Sequence, residues 1–272
     1  MSKTFSAIIN IVKYTITDEV RQKSFIVMLV VSVIFVFLVR GCYQGNYMVN
    51  GHELDAEAIV ATVSKVAFHI ITIAVMLVTA LFSMRVFKRD RDEGMQSCIF
   101  SKPITRMQYV VGKISGLWVL SSFFMFLLHA IIFLTVLLRL NIVMPGYLVA
   151  SAICSFNLLF VVISVLLFSL IMPDIAAFLC VTGIVIVSFA AEWIFAISRY
   201  SPVTAHSGST GWGIIYYLWP KLSGLQNFAS LFIAGVDGTQ VFAYIYPLIN
   251  VIICCLILGA LLFWRFRNED II

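Results

Sequence analysis

The chain has 272 residues, of which 62% are hydrophobic and only 11% are charged. Water-soluble domains carry about 25% charged residues, so this composition excludes a soluble globular protein. The formal net charge is +5, but no basic groove is interleaved with the stacking aromatic residues that nucleic-acid binding requires. We therefore expect an integral membrane protein that binds no nucleic acid.

The first predicted element is an amphipathic helix over residues 2–23. Lys3, Lys13 and Arg21 lie on one face of this helix, and its apolar face carries Phe5, Ile8, Ile9, Val12, Ile16 and Val20. A helix with this pattern lies in the membrane interface. No signal-peptide cleavage pattern accompanies the first long apolar stretch, so we expect that stretch to remain as a membrane anchor.

Six apolar stretches bounded by charged residues predict six membrane-spanning helices. Each crossing needs about 20 mostly apolar residues, and the predicted spans lie at about residues 24–39, 66–84, 114–138, 147–172, 175–198 and 242–264. The sequence MPDI at 172–175 combines a helix-breaking proline with a charge, which predicts a tight hairpin between the fourth and fifth spans. The expected fold class is an all-α polytopic membrane protein, a single transmembrane domain over residues 1–272.

Basic residues predict the orientation of these spans, because Lys and Arg are retained on the cytoplasmic side. With six spans, thirteen of the 18 Lys and Arg residues fall on one side of the membrane. We therefore expect a multi-pass protein of the cell (plasma or inner) membrane with both termini in the cytoplasm.

Residues 85–113 form a charged inner segment, RVFKRDRDEGMQSCIFSKPITRMQYVVGK, between the second and third spans. Charges of both signs cluster early in it, at Arg89, Asp90, Arg91, Asp92 and Glu93. We expect a short helix there that docks into a soluble partner, with Pro103 ending it and Thr105 capping the helix that leads into the third span. A simpler interpretation is that these charges only hold the topology.

One set of residues resembles the cytoplasmic loop of ABC-2 type exporter permeases: Glu93, Gly94, Ser101, Lys102, Pro103, Ile104, Thr105, Arg106, Gly112, Lys113 and Gly116. That loop typically has an acidic-Gly start, a small-x-Pro-[IV]-[ST]-Arg centre and a Gly-Lys start to the third span. The likeness extends over nearly the whole chain, from the amphipathic helix to a long outer segment before the sixth span. One departure is that the usual Gly-Thr-Leu reads Gly94-Met95-Gln96 here.

The resemblance implies a non-enzymatic permease subunit of an ATP-driven exporter. It implies an ABC ATPase partner, expected in two copies, that holds the ATP and Mg, and a second permease copy or paralogue in the bilayer. A coupling helix near Arg89 to Ser101 would receive the push of the ATPase, and the spans would then open outward. The implied ATPase-coupling residues are Arg89, Asp90, Arg91, Asp92, Glu93, Gly94, Ser101, Lys102, Pro103 and Arg106.

The chain itself is expected to hold no cofactor and no metal, and to have no catalytic residues. Gly112 and Lys113 superficially suggest a phosphate-binding loop, but Met107 replaces its earlier Gly and Ile114 replaces its Ser or Thr. The six cysteines show no ligand spacing.

Two ionisable residues inside predicted spans are possible substrate-path residues, because charge within a membrane is costly. Glu192 lies near the outer end of the fifth span, and His129 lies within the third. Glu192 could instead reach outer water or pair with Arg199. His129, like His69, could be a hydrogen-bonded packing residue.

The outer segment at 199–240 is rich in aromatic residues, which favour the membrane interface. We expect two short helices broken near Pro220, lying in or dipping into the outer leaflet. The predicted outer gate or interface residues are Trp212, Tyr216, Tyr217, Trp219 and Phe228.

Two other function classes stay open on the sequence. An ion-coupled secondary carrier or intramembrane enzyme would use Glu192 and His129 and would be active as a purified chain without an ATPase. A membrane anchor for a complex would transport nothing and would tolerate substitution at Glu192. Neither the spans nor the loops identify a substrate.

Overall fold

The computed structural model describes residues 2–22, 25–26, 29–30, 32–34, 37, 48–49, 52–53, 56–92, 94, 99, 101, 104–141, 143–200, 219–233 and 244–268. Its helices are α1 (Ser2–Arg21), α2 (Ala56–Ser83), α3 (Val86–Asp92), α4 (Arg106–Leu140), α5 (Gly146–Ser169), α6 (Asp174–Tyr200), α7 (Leu222–Ile233) and α8 (Tyr246–Arg267). Two short strands, β1 (Met48–Val49) and β2 (His52–Glu53), pair antiparallel. The protein is therefore almost wholly α-helical in the described ranges.

Five stretches of helix are long and apolar enough to cross a membrane within the part of the chain that the structure describes. They are Val60–Asp92, Arg106–Leu138, Gly146–Ser169, Asp174–Ile194 and Tyr246–Arg267. These stretches coincide with the second to sixth predicted spans. Most of the first predicted span, at 24–39, lies outside the described residues, so a sixth span stays a prediction.

Local sequence signals set several helix ends. The predicted cap at Thr105 is confirmed: its hydroxyl accepts the Gln108 N–H at 3.3 Å, while the Gln108 side chain accepts the Thr105 N–H at 3.0 Å. This reciprocal arrangement is a capping box. At MPDI, α5 ends at Ser169 and α6 begins at Asp174, because proline cannot continue the hydrogen-bond ladder of a helix.

Helix α5 lies at the centre of the bundle, in contact with α2, α4, α6, α7 and α8. Helices α6 and α8 lie at the periphery and expose large apolar side chains, among them Leu179, Ile186 and Trp193 on α6 and Ile253, Leu256 and Trp264 on α8. Such exposed apolar surface on spanning helices is what lipid tails contact. These faces of α6 and α8 are therefore suited to contact lipid.

The amphipathic helix α1 packs closely against the N-terminal part of α4. A Cβ added at Gly112 would lie 2.6 Å from the Ile11 side chain, and one at Gly116 would lie 2.8 Å from Thr15. Glycines one turn apart allow two helices to approach this closely. Phe5, Ile9 and Val20 on the predicted apolar face remain exposed, as an interfacial helix requires.

Candidate functional site

Helix α3, which contains the first of the predicted coupling residues, follows α2 directly along the chain. Only the turn at Met84 and Arg85 separates α2 from α3, and the Arg89 N–H still donates to the Arg85 carbonyl at 2.8 Å. Helix α3 ends at Asp92, and Gly94 has a φ of 67°, a left-handed conformation that terminates helices. Of the stretch from Arg89 to Ser101 expected to be the coupling helix, α3 therefore covers the part up to Asp92, and most of the rest lies outside the described residues.

Arg89 points towards α1. Its guanidinium forms ion pairs with Asp18 and with Glu19, the latter at 2.6 Å. The Glu19 side chain is only 1% exposed, and its burial raises the pKa of the carboxyl, while the attraction of Arg89 opposes that rise. Arg89 therefore links α3 to the amphipathic helix.

Asp90 points towards α4. Lys113 Nζ lies 2.6 Å from the Asp90 carboxylate, and neither side chain has any exposed surface. The Tyr109 hydroxyl donates to the same carboxylate oxygen, and Lys113 also lies over the Tyr14 ring of α1 at 4.8 Å from the centroid. A buried charge is tolerated when it is paired and hydrogen-bonded in this way, so this cluster joins α1, α3 and α4.

The remaining charges of α3 face outward. Arg91 and Asp92 are exposed, and Lys88 lies 3.7 Å from Asp174 at the start of α6. Between α3 and the α5–α6 turn lies a cleft of about 310 Å³, lined by Phe87, Lys88, Arg91, Asp92, Ser169, Leu170, Met172, Pro173 and Asp174. This cleft lies directly beside the exposed charges of α3.

The predicted coupling residues thus divide into two groups. Arg89 and Asp90 face inward, whereas Arg91, Asp92, Gly94, Ser101 and Arg106 are exposed. The Arg106 side chain donates to the Arg267 carbonyl at the C-terminal end of α8, at 2.8 Å. Glu93, Lys102 and Pro103 lie outside the described residues.

Glu192 lies 3.7 Å from Lys221, the residue before α7. Lys221 is 4% exposed, and burial lowers the pKa of its ammonium to about 8, although Glu192 opposes that fall. Ser188 donates to the Pro220 carbonyl at 2.7 Å, and the Lys221 N–H donates to Asn250 at 3.0 Å. The start of α7 is therefore tied to both α6 and α8.

Helix α7 packs inside the bundle beside α5. Its first residue, Leu222, accepts from the Asn157 amide at 3.0 Å, while a Cβ at Gly146 would lie 1.9 Å from the Phe232 carbonyl. Asn157 lies 11 residues beyond Gly146 on α5, about 16 Å along its axis. The start of α7 therefore lies midway along α5, deep in the bundle, and its end lies at the N-terminal end of α5.

The predicted outer aromatic residues are only partly described. Phe228 is 6% exposed and packs edge-on against Phe232 at 5.7 Å, so it lies inside the bundle and not at a lipid interface. Trp219 is half-buried. Trp212, Tyr216 and Tyr217, with the predicted helix before Pro220, lie outside the described residues.

His129 is enclosed by other helices. Its side chain is fully buried, stacks on Phe68 at 4.9 Å and meets Tyr147 edge-on at 5.4 Å. Its Nδ1 is 2.9 Å from the Ser151 hydroxyl. This environment favours the packing interpretation over a residue that lines a substrate path.

A comparison with protein families gives a match over residues 9–271 to the model described as ABC-2 family transporter protein. The match covers nearly the whole chain. The chain belongs to the ABC-2 transporter family. No curated protein matches it. ABC-2 proteins are membrane transport components that work with ABC ATPases, and the five span-capable helices agree with a multi-pass permease.

Gly112 and Lys113 of this ABC-2 protein do not form a nucleotide site. Both residues lie within the continuous helix α4, and Lys113 is buried against Asp90. A phosphate-binding loop needs free backbone N–H groups and an accessible lysine. The residues present therefore do not fit ATP. The Lys113 ammonium instead pairs with Asp90 inside the protein.

Sequence reasoning misses several of the residues that form these contacts. Asp18, Glu19 and Tyr109 were not singled out, although they contact the predicted coupling residues. The four-residue spacing of Gly112 and Gly116 was a signal for a close helix contact. The sequence offered no signal for Lys221 as the partner of Glu192, because Arg199 was nearer along the chain.

Proposed function

We propose that this ABC-2 protein is the permease subunit of an ATP-driven exporter, in which a separate ATPase subunit pushes on α3. The observation that carries the proposal is the double attachment of α3. It follows α2 after a two-residue turn, and its Asp90 is buried against Lys113 of α4. A displacement of α3 therefore moves the inner ends of two spanning helices together.

The exposed side of α3 supplies the contact with the ATPase. Arg91 and Asp92 present opposite charges beside the inner cleft, and Ser101 and Arg106 are exposed farther along the inner segment. Charges of both signs give a docking surface orientation and specificity. Arg89 and Asp90 support this surface from within and do not belong to the contact itself.

The proposed complex contains two ATPase subunits, which hold ATP and Mg, and two permease subunits, identical or related. The proposed location is the cell (plasma or inner) membrane, with both termini of the chain in the cytoplasm. The basic residues of the segment at 85–113 support this orientation. Export is the proposed direction because ATP closure beneath α3 would draw the inner ends of the spans together and open the bundle outward. The substrate class is left open by the apolar spans.

At the outer end, α7 is the proposed gate together with the aromatic segment before it. The start of α7 is tied to α5 by Asn157, to α6 by Ser188 and to α8 by Asn250. Gln226 further donates to the His69 carbonyl of α2 at 3.0 Å. Movement of α2 and its neighbours therefore shifts α7, which supports a connection between the inner push and the outer opening.

Affinity purification of the tagged chain in mild detergent tests this function. We expect an ATPase to be recovered with wild type and to be lost with the Asp92→Arg, Gly94→Pro double variant, because the first reverses an exposed charge and the second cannot adopt a φ of 67°. Lys13→Glu, a charge reversal of the same size on exposed α1, is the matched control and should retain the ATPase. Transport by the purified chain with no nucleotide-binding partner would refute the proposal and support an ion-coupled carrier.

A further inference from the structure

Helix α1 is held to the coupling helix and the third span by a network of five charged residues. Arg89 of α3 pairs with Asp18 and Glu19 of α1, and Asp90 of α3 pairs with Lys113 of α4. Arg89 lies 71 positions from Asp18 and 70 from Glu19 along the chain. The network is therefore a tertiary contact among three separate helices.

The burial of this network makes it a stiff connection. Glu19 is 1% exposed, and Asp90 and Lys113 are fully buried. A buried ion pair resists separation because moving its members apart leaves uncompensated charges in a medium of low dielectric constant. Surface ion pairs such as Lys88–Asp174, at 3.7 Å with Lys88 64% exposed, lack this resistance.

Steric contact reinforces the electrostatic one. Ile11 and Thr15 of α1 occupy the space beside Gly112 and Gly116 of α4, on the turns that flank Lys113. Sliding α1 along α4 would bring these side chains against the backbone or against larger neighbours. Interdigitated surfaces of this kind move together and do not deform continuously.

We propose that α1, α3 and α4 move as one body, so that the amphipathic helix is a third part of the coupling unit. The proposal rests on the proposed function, in which an ATPase pushes on α3. Glu19, Asp90 and Lys113 are then positioning residues that carry this push sideways to α1. Because α1 exposes Phe5, Ile9 and Val20, its movement takes place within the inner-leaflet interface.

Distances between spin labels in the purified complex with its ATPase test this movement. Labels are placed at exposed Lys13 on α1, at exposed Met107 on α4 and at exposed Ile171 in the α5–α6 turn, after replacement of the native cysteines. We expect the Lys13–Met107 distance to be equal in the nucleotide-free and ATP-trapped states. The distances from Lys13 and from Met107 to Ile171 should both change.

Two variants separate a positioning role from a merely structural one. Asp90→Leu with Lys113→Met replaces the ion pair by apolar side chains, and we expect it to retain the ATPase but to lose the nucleotide-dependent change of the Lys13–Ile171 distance. The exchanged pair Asp90→Lys with Lys113→Asp should restore that change. Glu19→Gln is expected to broaden the Lys13–Met107 distribution without loss of the ATPase.

The outcomes also separate this inference from the proposed function. Failure of the wild-type chain to recover any ATPase contradicts the proposed function. Recovery of an ATPase with a Lys13–Met107 distance that changes on ATP binding, or with all three distances unchanged, overturns the single-body movement alone. A nucleotide response in the apolar Asp90→Leu, Lys113→Met pair equal to wild type also overturns it.

Discussion

Removal of Lys113 should be among the most destabilising single substitutions in the chain. In Lys113→Met the stem is nearly preserved, but the Asp90 carboxylate keeps its full burial and loses the ammonium 2.6 Å away. Leaving one member of a buried pair without its partner costs about 3–5 kcal/mol. Since 1.36 kcal/mol corresponds to a tenfold change, the unfolding equilibrium should shift by roughly a hundredfold to five-thousandfold.

The stability of Lys113→Met is to be compared with that of the Asp90→Leu, Lys113→Met double variant. Replacement of both members by apolar side chains removes the unpaired charge, so the free energy of unfolding should return to within about 1–2 kcal/mol of wild type. Tyr109 loses the acceptor of its hydroxyl in this variant, which accounts for a residual loss of about 1 kcal/mol. The two effects together predict a large coupling energy in a double-mutant cycle.

Equilibrium unfolding in mixed micelles of SDS and a mild detergent, followed by tryptophan fluorescence, measures these differences. The matched control is Lys88→Met, which removes a lysine whose side chain is 64% exposed and should change stability by less than about 1 kcal/mol. If Lys113→Met were as stable as this control, or if the double variant were no more stable than the single one, the buried-pair reasoning would be refuted.

Three further substitutions have defined outcomes. Gly116→Leu should push α1 away from α4 and cost about 1–3 kcal/mol, because even a Cβ meets Thr15 at 2.8 Å; limited proteolysis of α1 reports the displacement. Gly94→Ala should cost about 1 kcal/mol through its positive φ of 67° and reduce ATPase recovery only partly. For Lys221, the folded state releases its proton at about pH 8 and the unfolded chain at about 10.5. The unfolded state binds more protons between these values, so stability should rise with pH there, and Lys221→Met should abolish the rise.

Each of these three predictions has a matched control or an outcome that would contradict it. Gly183, beside which nothing lies within 4 Å, is the matched site for Gly116, and Gly183→Leu should leave α1 protected. An ATPase recovery unaffected even by Gly94→Pro would contradict a role for this turn. A wild-type unfolding midpoint that is flat between pH 8 and 10.5 would contradict the burial of a charged Lys221.

Much of the local structure around the segment at 85–113 could be predicted because its signals lie in neighbouring residues. The capping box at Thr105, the break at MPDI and the charge cluster before Gly94 are all properties of a few consecutive residues. The direction in which each charged side chain of α3 points, by contrast, is not determined by neighbouring residues in the sequence. Arg89 and Arg91 look equivalent in the sequence, yet the former is held by Glu19 and the latter is exposed.

The sequence by itself determined that this is a helical membrane protein, where five of its helices run and to which family it belongs. Apolar length and charge content decide membrane insertion without reference to distant residues. Only the tertiary structure decided that Asp90 meets Lys113, that Glu192 meets Lys221 and that α7 dips beside Asn157. A buried charge must find an opposite charge wherever the packing of helices brings one near, and that packing depends on the whole bundle.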